Sequence, residues 1–509
     1  MPHGSEPFSE LSQYPLDRSS IRLLPEPFCR RQWVVVLGKV QPDQPDAPIT
    51  LGMVHPKTEH IIQLVGDLLE RPIKPVRLNQ YEVESALHTG YGYGLREPGR
   101  HIIRPEPLSG TQPTAVEMVD HILNLAVDRR ASDIHIESYP QDVDIRLRID
   151  GILHQTYTDI NPETIPEVVG RIKVLAGLDI TERRSPQDGR IRVVITRDEE
   201  THKTIDYRVS VVPSPRGEDV VIRVLDSEAG LLPVTRLGMS EEIQHTFLQL
   251  LSNPEGLVLV TGPTGSGKTT TLYSALSQLN DGRKKIITAE DPIEYIVPKI
   301  NQKQVSEKMS YATLLRALLR QDPNVMLVGE IRDMETGSTA LNAARTGHLV
   351  LGTLHTADAV GTIGRLRGLE LDDTDIADAL LAVMAQRLAR RVCVECTEEV
   401  SPTEEQKALL GSLLKGLRPR RGRGCPHCRH TGYRGRIGVH ELLLVEPGLQ
   451  DLIVQGAHNA QLRAYARRHG FKTMVEDAME KIAAGLTTLD ELSRMIPYRH
   501  ILATRDDPR

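Results

Sequence analysis

The chain has 509 residues, 26% of them charged and 39% hydrophobic, with a formal net charge of −6. That length sets a prior of about three to four domains, and the balance is that of an ordinary globular chain with no global nucleic-acid signature. No apolar run approaches the ~18 residues of a membrane span, residues 1–10 carry acids and no apolar centre and so do not read as a secretory signal, and aromatics at 4%, with Trp33 the single tryptophan, argue against stacking platforms for single-stranded nucleic acid.

Residues 1–105 hold many prolines and the stretch Tyr91-Gly92-Tyr93-Gly94. Within them 33–38 reads as a strand and 58–69 as a helix, so a small α/β module is predicted, ending in a loose segment over 97–112. Next, Thr114 and Glu117 are spaced as a capping box, followed by Val116, Val119, Ile122, Leu123 and Ala126 at helical spacing. Over 142–149, Val143, Ile145, Leu147 and Ile149 alternate with Asp144, Arg146 and Arg148, and Asp150-Gly151 reads as a hairpin turn. Further strands are predicted at 191–195, 204–212 and 219–225. Residues 112–228 therefore read as an α+β unit around an antiparallel sheet. Its arginines Arg190, Arg208 and Arg223 have two readings: a solvated sheet face, or charges that reach a phosphate on another domain. The stretch 226–239 reads as a linker.

From there to about residue 395, apolar strands alternate with helices, the pattern of a parallel α/β core. Gly262-Pro263-Thr264-Gly265-Ser266-Gly267-Lys268-Thr269 fits the phosphate-loop pattern Gly-x4-Gly-Lys-Ser/Thr, with an apolar run at 257–260 leading in and a helix predicted over 270–278. Its glycines let backbone N–H groups turn inward around a phosphate. Lys268 supplies a charge near the β and γ phosphates, and the Thr269 hydroxyl can ligate Mg2+. These eight residues and Thr270 form the predicted nucleotide-binding set.

Ile286-Ile287-Thr288 is a short strand running into Ala289-Glu290-Asp291-Pro292-Ile293-Glu294, whose three carboxylates make either a metal and water site or a solvated loop. Residues 325–330 read as a buried strand ending in Glu330. With no aspartate in the usual Mg2+-side place, Glu330 is the main candidate to order the Mg2+ shell or polarise the attacking water. Residues 349–354 are another strand, flanked by His348 and His355. His355 stands at the strand's C-terminal end, where ligands bind in open α/β sheets, and reads either as a site residue or as a structural histidine. Gln386-Arg387-Leu388-Ala389-Arg390-Arg391 reads as a basic helix, either a solvated face or a subunit interface.

Four of the five cysteines form two Cys-x-x-Cys pairs, Cys393/Cys396 and Cys425/Cys428. Each pair can grip one edge of a tetrahedron, so a closed structural zinc site is favoured over free thiols, and a reducing compartment over disulfides. The spacer carries its own predicted helix, started by a Ser401/Glu404 capping pair ahead of Leu409, Leu410, Leu413 and Leu414. Cys29 is left as an apolar filler.

Taken together these segments resemble the secretion and pilus-assembly ATPases: the type II secretion ATPase and its relatives that extend type IV pili. The stretches that carry the resemblance are Ala131-Ser132-Asp133-Ile134-His135-Ile136-Glu137, Pro186-Gln187-Asp188-Gly189-Arg190, the phosphate loop, Ala289 to Tyr295, Leu319-Arg320-Gln321-Asp322-Pro323, Val328-Gly329-Glu330-Ile331-Arg332-Asp333 and Thr346 to Thr356. They cover about residues 112–500. The resemblance implies an α/β fold: a RecA-like P-loop NTPase core over 235–509 with a zinc-binding insert at 393–428, preceded by an α+β, PAS-like antiparallel-sheet domain at 112–228 and an N-terminal partner-docking module at 1–105. It implies hydrolysis of ATP with Mg2+, and Zn2+ in the insert. It implies that Glu330 acts in hydrolysis, that Glu294 belongs to an Asp box and His355 to a His box, and that Arg190, Arg208 and Arg223 contact nucleotide phosphates across a domain interface. It further implies a homohexameric ring at the cytoplasmic face of a bacterial inner membrane, with an inner-membrane platform protein and a membrane-anchored protein bearing a cytoplasmic domain as partners, and no nucleic acid. The tetracysteine insert, which retraction motors of the superfamily lack, favours an assembly or secretion role. Gly352 and Ala357 depart from the family's usual serine and asparagine in the His box. A nucleic-acid translocase and a non-hydrolysing switch remain as other classes, the first opposed by the net charge and scarce aromatics, the second by the intact Lys268, Thr269 and Glu330.

Overall fold

The structure, a computed structural model, describes residues 11–24, 28–29, 32–41, 47–54, 59–78, 82–83, 86–87, 100–103, 113–139, 141–156, 158, 160–198, 201–226, 232–306 and 308–506. Tyr91-Gly92-Tyr93-Gly94, most of 97–112 and the middle of the 226–239 linker lie outside them. Two compact bodies divide the chain, Met1–Glu97 and Pro98–Arg509.

The first body contains a three-stranded sheet in the order β1 (Val34–Leu37), β2 (Ile49–Met53), β3 (Ile73–Arg77), the first pair antiparallel and the second parallel. All four residues of β1 are buried, and helix α1 (Glu59–Leu69) sinks Ile61 and Val65, one turn apart, into the same core. Cys29 is fully buried there.

The second body is built on two seven-stranded sheets. One runs β4 (Arg100–Ile103), β8 (Gln187–Asp198), β9 (Thr201–Ser214), β10 (Gly217–Asp226), β5 (Ala131–Ser138), β6 (Val143–Ile149), β7 (Ile152–Gln155). It is antiparallel except for the β4–β8 pair. The period-two pattern of β6 is obeyed: Val143, Ile145 and Leu147 are buried under helices α2 (Ala115–Asp128) and α3 (Ile165–Ala176), and the charges point away. The Thr114/Glu117 capping box is made as predicted. Strand β4 occupies a segment read from sequence as loose; it is only four residues long and is held by pairing to β8 rather than by its own pattern.

The other sheet runs β13 (Asn301–Gln304), β12 (Ile286–Glu290), β14 (Val325–Val328), β15 (Leu349–Leu354), β11 (Gly256–Thr261), β16 (Leu380–Val392), β19 (Tyr433–Leu444). All pairs are parallel except β16–β19. β11, β14 and β15 are buried at every position, as strands covered on both faces must be. Helices α4 (Glu241–Leu251), α5 (Lys268–Leu279), α6 (Tyr311–Leu318), α7 (Met334–Arg345) and α8 (Ala359–Gly368) cover it. The C-terminal part adds α9 (Glu404–Leu410), the small β17–β18 pair (Thr397–Glu399, Arg420–Gly422), and α10 (Asn459–Arg468), α11 (Met474–Ala483), α12 (Leu489–Met495) and α13 (Tyr498–Asp506).

Three local readings are corrected. Residues 386–391 are strand, not helix: they lie in the half of β16 that runs on past β11 and pairs with β19 alone, and Gln386 and Arg387 are buried there. The capping box of α9 is Thr403/Gln406, two residues beyond the predicted pair, and Leu413 and Leu414 fall in a 3-10 turn. The end of the linker is part of the core, because Val234 and Leu237 are buried against the ATPase sheet.

Candidate functional site

In a parallel sheet the C-terminal ends of all strands share one edge. That edge carries the phosphate loop after β11, the acidic loop after β12, Glu330 after β14 and His355 after β15. The sites predicted from separate segments therefore converge.

The loop is shaped for a phosphate. Gly262 and Gly267 have φ of +149° and +92°, and a Cβ on either would lie 2.5 Å from the Gln386 carbonyl or 2.8 Å from its side-chain amide. Gly267 is the N-cap of α5 and offers no side chain, so the first N–H groups of that helix stay free for an anion. The Ser266 hydroxyl is buried in the loop without a hydrogen-bond partner. Lys268 Nζ donates to the carbonyls of Gly262 at 2.8 Å and Pro263 at 3.2 Å, which holds it across the loop. Burial pulls its ammonium down to about 8, against the attraction of Glu330. Pro263, Thr264 and Gly265 are exposed at the loop's lip and Thr270 starts the first turn of α5.

Thr269 opens onto a cleft shared with Tyr273, Glu290, Asp291, Glu294 and Glu330. A hydroxyl facing carboxylates across a cleft is a hard-oxygen environment that fits Mg2+. Glu330 Oε2 accepts from Arg332 Nε at 2.5 Å, and Glu330 Oε1 lies 3.2 Å from His355 Nε2. His355 Nδ1 is 3.5 Å from Lys268 Nζ, so the imidazole sits between the loop's lysine and the acid. Thr261 brackets this histidine: its hydroxyl donates to the Leu354 carbonyl at 3.0 Å and accepts from the Thr356 N–H at 2.9 Å. His348 instead bonds the Ala343 carbonyl, away from the edge.

The three arginines stand in one register row. Arg190 of β8 pairs with Arg208 of β9, Arg208 with Arg223 of β10, Arg223 with Asp133 of β5, and Asp133 with Arg148 of β6. Their partners differ. Arg208 crosses to the ATPase core, donating to Glu294 Oε1 at 3.3 Å and to the Ile293 carbonyl at 3.1 Å. Arg223 stays in its own sheet with Asp133 at 3.2 Å, and Arg190 is exposed.

The sequence named Glu290 only as one of three carboxylates of a metal and water site or a solvated loop, and gave no sign of the buried layer it belongs to. Glu290, 4% exposed, accepts from Tyr273, from Thr288 at 2.5 Å and from Gln302 at 3.1 Å, tying α5 to the acidic loop. Gln386 accepts from Thr271 at 2.8 Å and backs the phosphate loop. A polar residue ending the apolar run 380–385 was the available signal for it.

Cys393, Cys396, Cys425 and Cys428 meet with all four sulfurs within 4.8 Å of one another, at 3.9, 3.8 and 3.7 Å for three of the pairs. A tetrahedron with ~2.3 Å metal–sulfur bonds has edges of ~3.8 Å, so the cluster fits Zn2+. Burial would raise the Cys428 thiol, but N–H donors of Cys425 at 3.2 Å and Gly432 at 3.3 Å bring it down to about 6. Arg429, next to this ligand, donates to the carbonyls of Asp128 and Arg129 at the end of α2, at 2.7 and 2.9 Å.

A phosphate cradle, a carboxylate two strand-ends away and a histidine on the strand-end between them define a P-loop NTPase, and its activity is ATP hydrolysis. Residues 109–494 match the family described as Type II/IV secretion system protein, and the chain belongs to that family. It is 38% identical to the type II secretion system ATPase E of Vibrio cholerae over 513 aligned residues, covering 96% of this chain and 99% of that one. It is 36% identical to the type IV pilus assembly ATPase PilB of Thermus thermophilus, over 96% of this chain but 56% of that protein. Among solved structures, the pilus retraction motor PilT with bound ADP shares 27% identity at a TM-score of 0.50, over 74% of this chain and 96% of that one. No helix of the described residues is long and apolar enough to cross a membrane.

Proposed function

We propose that the chain is the ATP-driven motor of a type II protein secretion machine, working as a homohexameric ring at the inner membrane. The observation that carries this reading is the end-to-end match to the Vibrio cholerae secretion ATPase, which leaves almost no part of either chain unaccounted for. The match to PilB supports pilus extension as the second reading, and it spans only about half of that protein. Residues 1–105 would dock the motor to a membrane-anchored protein with a cytoplasmic domain, and an inner-membrane platform protein would receive the motion.

In this reading the residues 262–270 hold the triphosphate, with Lys268 on the β and γ phosphates. Mg2+, when bound, neutralises charge on the phosphates, and Thr269 with the cleft carboxylates would hold it. Glu330 orients the attacking water, and Arg332 and His355 fix its two oxygens. Glu294 keeps Arg208 at the rim of the cleft until nucleotide competes for it. Arg190, Arg208 and Arg223 then supply positive charge as the sheet closes on the core.

Deleting the gene in its own host tests the reading. Exported enzymes should accumulate inside the cell envelope while surface pili persist, and wild type but not Lys268→Ala should restore export. Normal export with lost pili would sink it in favour of pilus extension. Native mass spectrometry with ATP should show six chains.

A further inference from the structure

A cavity of about 240 Å3 lies in the C-terminal part, behind the phosphate loop rather than at its mouth. Arg387, Arg463, Arg499 and His500 line it, with Met474 and Ile496 as an apolar wall. We propose that it is a second binding site, for a small organic phosphate: an anion carried on an apolar body.

The charge balance of the walls is the first argument. Arg387 is 8% exposed. Its guanidinium donates only to two backbone carbonyls, Gln386 at 3.2 Å and Ala357 at 2.9 Å, and no carboxylate among the described residues comes within ion-pair distance. A buried cation ordinarily has a counter-charge, and this one lines an open cavity. The two acids that share the cavity are already engaged. Asp358 caps α8 through the Gly361 N–H at 2.6 Å and holds Arg463 at 3.1 Å. Glu441 accepts from the first N–H of α8 at 2.7 Å and the first N–H of α11 at 2.9 Å. Arg499 is exposed at the rim and, among the described residues, reaches only His500, at 3.3 Å. Glu441 and Asp358 act on Arg387 only through space, so among the described residues two cations face the cavity with no carboxylate in ion-pair contact, and a guanidinium is the planar fork that suits a phosphate.

The second argument is the route to the nucleotide. The Gln386 carbonyl that accepts from Arg387 is the same atom against which Gly262 is packed, at 2.5 Å from a would-be Cβ. A ligand that draws the Arg387 guanidinium into the cavity acts directly on the backing of the phosphate loop.

The test titrates phenyl phosphate into the full-length Lys268→Ala chain, whose phosphate loop has lost its own charge. This is separate from the secretion reading, since it measures binding alone. Saturable binding of one ligand per chain is expected at about 1 mM or tighter. Arg387→Gln should weaken it about tenfold or more, the loss of a charge-assisted bond. Ala503→Phe, which fills the mouth from exposed α13 and removes no hydrogen bond, should abolish it. Inorganic phosphate should bind about tenfold more weakly, lacking the apolar body. The assignment is overturned by no saturable binding in the parent, by unchanged binding in Ala503→Phe, or by equal binding of inorganic phosphate. Binding that weakens as the chain is concentrated also overturns it, since the occupant is then a second copy. In the unmutated chain, phenyl phosphate should shift ADP affinity about twofold or more, and ADP should shift phenyl phosphate affinity by the same factor. An unchanged ADP affinity removes the coupling to the phosphate loop.

Discussion

Arg208, on β9 of one sheet, and Glu294, in the loop after β12 of the other, pair across the cleft, through two contacts of 3.3 Å each. Both are about a quarter exposed, so the contact is a partly screened ion pair and worth little in stability. Its interest is positional: it parks an arginine beside the acidic loop without committing it.

Arg208→Ala should therefore slow turnover by about 10^3 or more while changing nucleotide affinity far less, the signature of charge that acts in the transition state. Arg223→Ala should cost less than about tenfold, because Arg223 is held by Asp133. Equal effects of the two substitutions on kcat would contradict the distinction.

Lys268→Ala should abolish ATPase activity and weaken nucleotide binding. The lysine also sets a pH dependence. Its ammonium is lowered to about 8 in the empty site, and phosphate would hold it charged. Nucleotide affinity should fall as pH rises through about 8, and binding above that pH should take up a proton. Calorimetry in buffers of different ionisation enthalpy reads the proton directly; no uptake at pH 9 would exclude the lysine as its source.

Glu330→Gln keeps both side-chain oxygen-position contacts in shape but not in charge. Hydrolysis should drop about 100-fold or more with nucleotide still bound. If bound nucleotide turns over at the normal rate, the acid that handles water is elsewhere.

Metal analysis of reduced protein should give about one zinc per chain. Cys393→Ser should lose it and leave the nucleotide core folded, because the four cysteines form their own cluster apart from the main core. Metal near zero in freshly purified protein would remove zinc from the account.

His440 is fully buried with neither ring nitrogen hydrogen-bonded, and burial, helped by Lys481, lowers its pKa to about 3. The native chain keeps it neutral, while the unfolded chain takes a proton below about 6.5. Its contribution is thus present above pH 6.5 and lost as pH falls toward 3. His440→Leu should flatten this part of the acid limb in denaturant titrations, where Asp477, which accepts from the His440 backbone N–H and is paired with Lys481, also titrates. An unchanged acid limb would assign it to other groups.

What was legible in the sequence was chemistry carried by short contiguous runs. The phosphate loop, the acid closing β14 and the two cysteine pairs each need particular residue types at fixed spacing, and the parallel sheet brings them to one edge. What was hidden depends on neighbours distant in the chain. Nothing near Arg223 announces that Asp133, ninety positions away, lies across the strand and claims it. Residues 386–391 looked helical because they do not alternate: the neighbours Gln386 and Arg387 point to opposite faces of the strand and both are buried. β4 has too little pattern of its own to be seen without β8.

The row Arg190, Arg208, Arg223, Asp133, Arg148 places three like charges side by side before the first acid. Neighbouring cations across a sheet repel, so the row favours any arrangement that brings an anion to it. In the nucleotide-free chain Glu294 is that anion; a triphosphate carries several times its charge. The sheet thus acts as a standing field whose reach is set by the surrounding electrolyte, about 8 Å at physiological ionic strength and about 3 Å in molar salt. Concentrated salt should leave the phosphate loop's own grip largely intact and deprive the distant sheet of its pull, uncoupling the two halves of the motor without altering a single residue.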